Sequence, residues 1–412
     1  MEAVDQLFLI IFILVIANIL NDFAKKDTLV IIGRLAYPGN TAVSNRVHLY
    51  CKALKNEGGF PFIINLHSTF TKKPKFGYLA RNEGIPFYYA QKTPVREKRF
   101  LLRNINKSKG IFNTIFLLRK LKKKHPLKVL LFNTNLWDEL LLFIFLKMMK
   151  ITIVRECNEI PSFVDEKRFR SYHHFLLKLK VKMYNNIIVI SDQLNYFYSS
   201  ILPKDRIIQI PILVDLDRFK NVELKEHPGK IITYVGYMGG NKDGLENLID
   251  AMALVKKKNE KVTLQLVGSA PEKDMIRLKN KVKTLGLNDT IIFLGKKNAE
   301  EVPSILLNSD FLVLARPNSS QAKAGFPTKL GEYLASGKPV IITITGEIPK
   351  YLTDKESAYL SKPDDIVDFA DKLVYALSDE NAEKIGREGY KIARNNFNYQ
   401  LYGKKLFDFL QN

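Results

Sequence analysis

Cysteine is nearly missing from this chain, with Cys51 and Cys157 the only two in 412 residues. Two thiols make no disulfide framework, and the scarcity fits a reducing compartment in which both side chains fill core space. Spacing suited to zinc is also missing. His173 and His174 are adjacent, so they diverge on a helix. No repeat of 20–50 residues is visible, which excludes a solenoid. Long apolar runs are scarce. Leu7 to Leu20 is broken only by Asn18 and holds fourteen residues, short of the ~20 that span a bilayer. Tolerating Asp5 and Gln6 extends it to Ala3. It has neither the basic leading region nor the small-residue cleavage site of a secretory signal. Lys25 and Lys26 behind it favour a cytoplasmic body behind a short anchor at the inner face of the cell membrane. A buried helix, or a start codon upstream of the true one, are the competing readings.

Acids are outnumbered: 42 Asp+Glu against 64 Lys+Arg give a net charge of +22. Such an excess attracts polyanions, whether an acidic membrane face, nucleic acid or a phosphorylated substrate. It is concentrated from Lys92 to Lys124, where twelve basic residues face one acid, Glu97. Within that stretch Ile111, Phe112, Ile115, Phe116 and Leu118 recur at helical spacing, ahead of a basic run from Arg119 to Lys124. An apolar stripe with a basic flank suits a helix lying on anionic lipid, where each cation contributes about 1 kcal/mol. The plainer alternative is a domain helix with a solvated basic end. Nucleic acid is not the expected partner.

What is present is a regular alternation. An apolar content of 46% with periodic segments indicates a folded protein, and the length suits two domains. Strands are expected at Thr28–Ile32, Phe60–Asn65, Pro86–Tyr89, Val129–Phe132, Ile151–Arg155 and Ile187–Ile190, with a helix over about Ala42–Asn56. After the polar run Asn221–Lys230 come Ile231–Val235, Val262–Val267, Ile291–Leu294, Phe311–Leu314 and Pro339–Thr343. Strands separated by helical periodicity imply parallel βαβ units covered on both faces. The expected fold is α/β, with two Rossmann-like doubly wound parallel-sheet domains facing a cleft. The boundaries are an apolar segment 1–26, a first domain 27–213, a second domain 214–395 and a terminal helix 396–412. Ligands of such sheets bind beyond the carboxyl ends of the strands, where Gly236, Arg316 and Gly325 fall.

Two stretches carry chemistry. In Tyr234-Val235-Gly236-Tyr237-Met238-Gly239-Gly240-Asn241-Lys242 a strand runs into a glycine-rich turn with a lysine at the next helix entrance. Glycine lets backbone approach a ligand closely, and charge-assisted bonds from the lysine contribute about 1.5–3 kcal/mol each. In Gly325-Phe326-Pro327-Thr328-Lys329-Leu330-Gly331-Glu332 a loop opens a helix with proline near its first turn. Free backbone N–H groups there suit a phosphate. Lys329 adds a full charge, and Glu332 can accept bonds from sugar hydroxyls.

Together these stretches resemble the retaining nucleotide-sugar glycosyltransferases of GT-B fold, the glycosyl transferases group 1 or family four. The resemblance runs from about Thr28 to Leu410 and includes Ile190–Leu194, the Ile210–Phe219 segment, and a helix around Tyr399–Leu410 that in relatives crosses back to the first domain. It implies that Lys242 binds the donor diphosphate and that Gly236, Gly239 and Gly240 shape its loop. It also implies that Gly325, Phe326, Pro327 and Thr328 meet the phosphates and donor sugar, and that Glu332 holds the ribose. Lys329 and Arg316 are extra positive groups for the phosphates. Two departures stand out: Ala324 replaces a glutamate that contacts the donor sugar in many relatives, and Tyr237 replaces an arginine.

On the first domain the resemblance puts the acceptor near Gly33–Thr41, with Gly39 and Asn40 as candidates for close approach. Where relatives often have a histidine, the chain offers Arg155-Glu156-Cys157-Asn158-Glu159-Ile160-Pro161. Glu156 and Glu159 are candidates for accepting a proton or bonding sugar hydroxyls; otherwise they are loop carboxylates balancing Arg155. Asp215-Leu216-Asp217 matches the Asp-x-Asp of metal-dependent transferases, yet it lies between domains and reads as structural.

The implied activity is metal-independent, retaining transfer of a hexosyl group from a UDP- or GDP-linked sugar to an acceptor hydroxyl. Lys242 serves catalysis as well as binding, and no cofactor is required. The expected acceptor is a glycan or lipid-linked sugar of cell-surface polysaccharide or glycolipid assembly. The rival, motivated by Ala324, is a catalytically degenerate module that docks on a membrane or a partner. The nucleotide-sugar 2-epimerases, another enzyme class with this fold, match the motifs less well.

Overall fold

The computed structural model describes residues 28–39, 41–123, 126–159, 170–258 and 262–411. The expected anchor over residues 3–20, Asn40 and Ile160-Pro161 lie outside the described residues.

Eight strands form the first sheet: β1 (Thr28–Gly33), β2 (Phe60–Asn65), β3 (Leu79–Asn82), β4 (Ile85–Tyr89), β5 (Leu127–Phe132), β6 (Thr152–Cys157), β7 (Asn186–Val189) and β8 (Ile207–Gln209). Their order is β3-β4-β2-β1-β5-β6-β7-β8, and only the β3–β4 pair is antiparallel. The second sheet has six parallel strands, β9 (Lys230–Tyr237), β10 (Val262–Ser269), β11 (Ile291–Gly295), β12 (Phe311–Leu314), β13 (Val340–Thr343) and β14 (Tyr359–Ser361), in the order β11-β10-β9-β12-β13-β14. In each sheet the chain winds outward from a central strand, then jumps to that strand's other side. Crevices open where the direction reverses, between β1 and β5 and between β9 and β12.

The strands are apolar runs because both faces are covered; all six residues of β1 are buried. On one face of the first sheet, helices α1 (Ala42–Asn56) and α10 (Gly403–Gln411) cover Leu29, Ile31 and Ile63. On the other lie α2 (Phe100–Lys122), α3 (Leu136–Met148), α4 (Arg170–Lys182) and α5 (Asp192–Ser199), packed over Val30, Ile32 and Val129. The second sheet carries α6 (Leu245–Lys258), α7 (Glu272–Thr284), α8 (Lys329–Ala335) and α9 (Ile366–Ser378) among its helices. Local chemistry sets the starts: the side chains of Thr41, Asn135 and Ser191 each accept a backbone N–H of the first turn of α1, α3 and α5.

α10 belongs in sequence to the second half, yet it packs on α1 of the first domain. Val214 N–H donates to Phe397 C=O (2.8 Å), and Tyr399 N–H donates back to Val214 C=O (3.1 Å), sewing the interdomain segment to this return. Asp215 caps the short 3-10 turn Leu216–Phe219 and pairs with Lys52 at 2.5 Å, and Asp217 pairs with Lys220 at 2.7 Å. The Asp-x-Asp match is thus engaged in local structure. The stripe expected on α2 divides: Ile111 and Leu118 enter the core, while Phe112 and Phe116 face solvent.

Candidate functional site

The crevice between β9 and β12 is where the second domain's charge gathers. Gly236 lies at the end of β9, and a Cβ there would stand 2.1 Å from Lys329 Nζ and 2.6 Å from Tyr234 Oη. Only glycine therefore lets Lys329 fold back under the strand end. Its ammonium bonds Tyr234 Oη (2.9 Å) and pairs closely with Asp243. The Tyr234 hydroxyl donates to the same carboxylate at 2.7 Å. Burial pushes Asp243 up, but Lys329 and the tyrosine bond more than offset this, and it titrates below the usual carboxylate value. Burial pulls Lys329 below an ordinary lysine, with Asp243 offsetting only part.

Arg316, just past β12, is 2% exposed. Its nearest acid is Asp243, 3.9 Å from Nε, and Nε and Nη1 have no hydrogen-bond partner among the described residues. A buried cation with open donors is costly unless an anion completes it. Gly244 holds this corner together, since with φ of +65° a Cβ there would meet Ala315 O at 1.8 Å.

Two further charged groups complete the wall. Lys242 Nζ reaches across the cleft to Glu159 Oε1 (2.8 Å), which also accepts from Gln321 Nε2 (3.2 Å). Glu332 accepts from Arg218 Nη1 at 2.5 Å, and Arg218 Nη2 donates to Ala299 C=O. Lys242, Arg316, Lys329 and Glu332 border a single cavity of about 1200 Å³, together with Gly236 and Gly325 to Thr328. Phe326 pins that loop by stacking on Tyr351 and meeting Phe397 edge-on. The helix behind it, α8, is seven residues long, so most of the positive field comes from side chains rather than from aligned peptides. Ala324 is buried, its carbonyl taking the Ser191 hydroxyl at 2.5 Å across the domain boundary. Tyr237 stands exposed at the rim.

Three expected residues behave differently. Gly239 and Gly240 do not line the cavity: a Cβ on Gly239 would strike the Tyr237 ring, and the Gly240 N–H is taken by Asp274 (3.1 Å). They shape the turn instead. Glu156 borders the cavity, but its side chain is 0% exposed. Arg46 Nε donates to it at 2.7 Å and Tyr50 Oη at 3.0 Å, while Arg46 also bonds the carbonyls of Ile210 and Pro211. Burial raises the Glu156 carboxyl, with Arg46 offsetting part of the rise. Through Arg46 it ties β6 to the interdomain segment, and of the two glutamates only Glu159 presents an exposed carboxylate to the cleft. Gly39 does border the cavity, its N–H held by Ser44 Oγ at 3.0 Å.

Sequence reasoning missed Arg218, Asp243 and Tyr234. Asp243 follows Lys242 directly, so its place in the loop was the available signal. Arg218 lies in the Ile210–Phe219 segment that carries part of the resemblance, but nothing within that segment singles it out.

Residues 215–392 match the family model "Glycosyl transferases group 1". This portion of the chain belongs to that family. Among curated relatives, the putative colanic acid biosynthesis glycosyltransferase WcaL of Escherichia coli is 27% identical over 51% of this chain and 52% of its own. The alpha-monoglucosyldiacylglycerol synthase of Streptococcus pneumoniae is 21% identical over 90% and 83%. Mannosylfructose-phosphate synthase of Agrobacterium fabrum is 26% identical over 43% and 39%. The chain thus spans about half or less of the first of these relatives. Among solved structures, sucrose-phosphate synthase of Thermosynechococcus elongatus superposes with a TM-score of 0.73 at 16% identity, covering 94% and 98% of the two chains. Anabaena HepE in complex with UDP and glucose gives 0.69 at 14%, covering 93% and 99%. These likenesses show the GT-B fold of two Rossmann-like domains.

Proposed function

We propose that this protein is a retaining glycosyltransferase that moves a sugar from a nucleoside-diphosphate sugar to an acceptor hydroxyl in glycan or glycolipid assembly. One observation carries the reading: Lys242, Lys329 and the partly unsatisfied Arg316 converge on the cavity that Glu332 also borders. The diphosphate of the donor supplies the anion those cations require, and Glu332 accepts from the ribose hydroxyls. HepE, of the same fold, is described in complex with UDP and with UDP-glucose, which supports a nucleotide-sugar donor.

As the glycosidic bond to the diphosphate breaks, negative charge grows on the leaving phosphate. Fixed cations stabilise it without reorganising, so no metal is required in this reading. The departing phosphate oxygen takes the acceptor proton on the face where the new bond forms, and the anomeric configuration is retained. Glu159, released from Lys242 by the incoming diphosphate, is placed to orient the acceptor. Closure of the two domains excludes water, which would otherwise hydrolyse the donor.

The test is a thermal-shift panel of UDP- and GDP-linked sugars, followed by assay of the responding donor with and without chelator. One nucleotide class should raise the melting temperature, Lys242→Ala should abolish that response, and chelation should leave turnover intact. If no nucleotide sugar shifts the wild type, the transferase reading fails and the binding-module alternative motivated by Ala324 takes its place.

A further inference from the structure

We infer that α2, α3 and α4 form a docking face for an anionic lipid bilayer. The inference stands apart from sugar transfer, because the face lies outside the cavity and its test measures lipid contact alone.

α3 is apolar on both its core face and its outer face. Its two acids point inward: Asp138 is bonded by His67 at 2.5 Å, and Glu139 takes the Tyr184 hydroxyl and the Lys180 ammonium (2.9 Å). Leu142 and Leu146 enter the core, but the remaining apolar residues are turned outward, with Trp137 74% exposed and Met148 73%, and Leu140, Leu141 and Ile144 exposed between them. A helix on a Rossmann-like sheet ordinarily turns such residues to the core. The neighbouring helices of the same sheet face expose apolar groups as well. α2 packs against α3 and adds exposed Phe112 and Phe116, and α4, which shares the same core through Leu177 and Val181, adds Phe175 and Leu179. An apolar surface extending over three helices marks an interaction site.

Charge identifies the occupant. Asp138 and Glu139 are the only acids in these three helices, and both are buried. The exposed charges are therefore all basic, among them Lys109, Arg119, Lys120, Lys147, Lys178 and Lys182. Lys120 lies 4.5 Å over the Phe116 ring, and Arg103 5.5 Å over that of Phe100, so the cations rim the apolar groups. A second copy would set like charge against like charge. Nucleic acid would satisfy the cations but leave the apolar groups in water. An anionic bilayer satisfies both, with apolar groups below the headgroups and cations among them. Among the described residues no helix is long and apolar enough to cross a membrane, so this face rests on the surface.

The chain supplies its own reporter, because Trp137 is its sole tryptophan. The full-length protein is titrated with vesicles of phosphatidylglycerol and phosphatidylcholine, and with vesicles of phosphatidylcholine alone, while Trp137 emission is recorded. Emission should be water-like without lipid, then shift blue and be quenched by brominated acyl chains on the anionic vesicles. Neutral vesicles should require about tenfold more lipid. Leu141→Glu with Ile144→Glu, and separately Arg119→Glu with Lys120→Glu and Lys123→Glu, should each raise the half-saturating lipid concentration about tenfold with helix content unchanged. Blue-shifted emission before lipid is added would mean that the chain itself or a second copy covers the face, and would overturn the proposal. So would an unchanged spectrum on anionic vesicles, an equal shift with single-stranded nucleic acid, or vesicle binding that both variants retain in full, which would place attachment in residues 3–20.

Discussion

Glu156 and Glu159 stand three positions apart and meet opposite surroundings. Glu156 closes a buried cluster with Arg46 and Tyr50, whereas Glu159 is half exposed and faces Lys242. Removing Arg46 leaves a carboxylate sealed without its cation, so Arg46→Ala should cost about 3–5 kcal/mol in urea unfolding. Glu156→Gln keeps the shape and should leave turnover nearly unchanged. A large loss of turnover in Glu156→Gln at unchanged stability would restore it as a proton acceptor. The sequence made both glutamates visible but not this difference, because Arg46 lies 110 positions away. At Lys329 the same scale gives a pH dependence. In the proposed reading its charged form binds the diphosphate, and burial sets its pKa below that of an ordinary lysine. Donor affinity should therefore fall as pH rises through that lowered value, before the ~10.4 of a free lysine is reached. Lys329→Arg, charged throughout, should carry the decline to higher pH. Calorimetric titrations that stay flat to pH 10 in the wild type would count against Lys329 as a phosphate ligand.

Elements were the most legible level. Strands buried on both faces are continuous apolar runs, and Phe60–Asn65 and Phe311–Leu314 lie where the sequence put them. β8 and β14, of three residues each, and the antiparallel edge β3 were not foreseen. So few positions hold no periodicity to read, and their place is set by the sheet they extend. The turn after β9 was legible as glycine-rich, but its three glycines were read as equivalent. Gly236 alone gives Lys329 its space. Gly236→Ala should fold, because the nearest obstacle is the end of a flexible side chain, yet it pushes that ammonium from its seat. With one charge-assisted bond lost, the donor dissociation constant should rise about tenfold or more, with only a small fall in melting temperature. Wild-type affinity in this variant would show that Lys329 binds from another position.

At the scale of the whole molecule, two crevices face each other and a few polar contacts cross between them. Ser191 meets the Ala324 carbonyl, Asp192 meets Glu347 and Lys350, and Glu159 holds Lys242. The facing of the two domains was legible, but these contacts were not, because contacts between groups 83 to 158 positions apart follow from docking and leave no local pattern. The Glu159–Lys242 pair has a functional consequence. Lys242 cannot give its full charge to a diphosphate while Glu159 holds it, so donor entry must break the pair. Both groups are about half exposed, and such pairs contribute about 0.2–1 kcal/mol. Glu159→Gln should therefore tighten nucleoside-diphosphate binding by up to about fivefold while lowering turnover, since the group proposed to orient the acceptor has lost its charge. Measured together, a dissociation constant for the diphosphate alone and a turnover number with acceptor separate the two effects. Weaker diphosphate binding in Glu159→Gln would mean that the carboxylate aids the donor instead of competing with it, and the cleft-bridging pair would then have no part in gating the site.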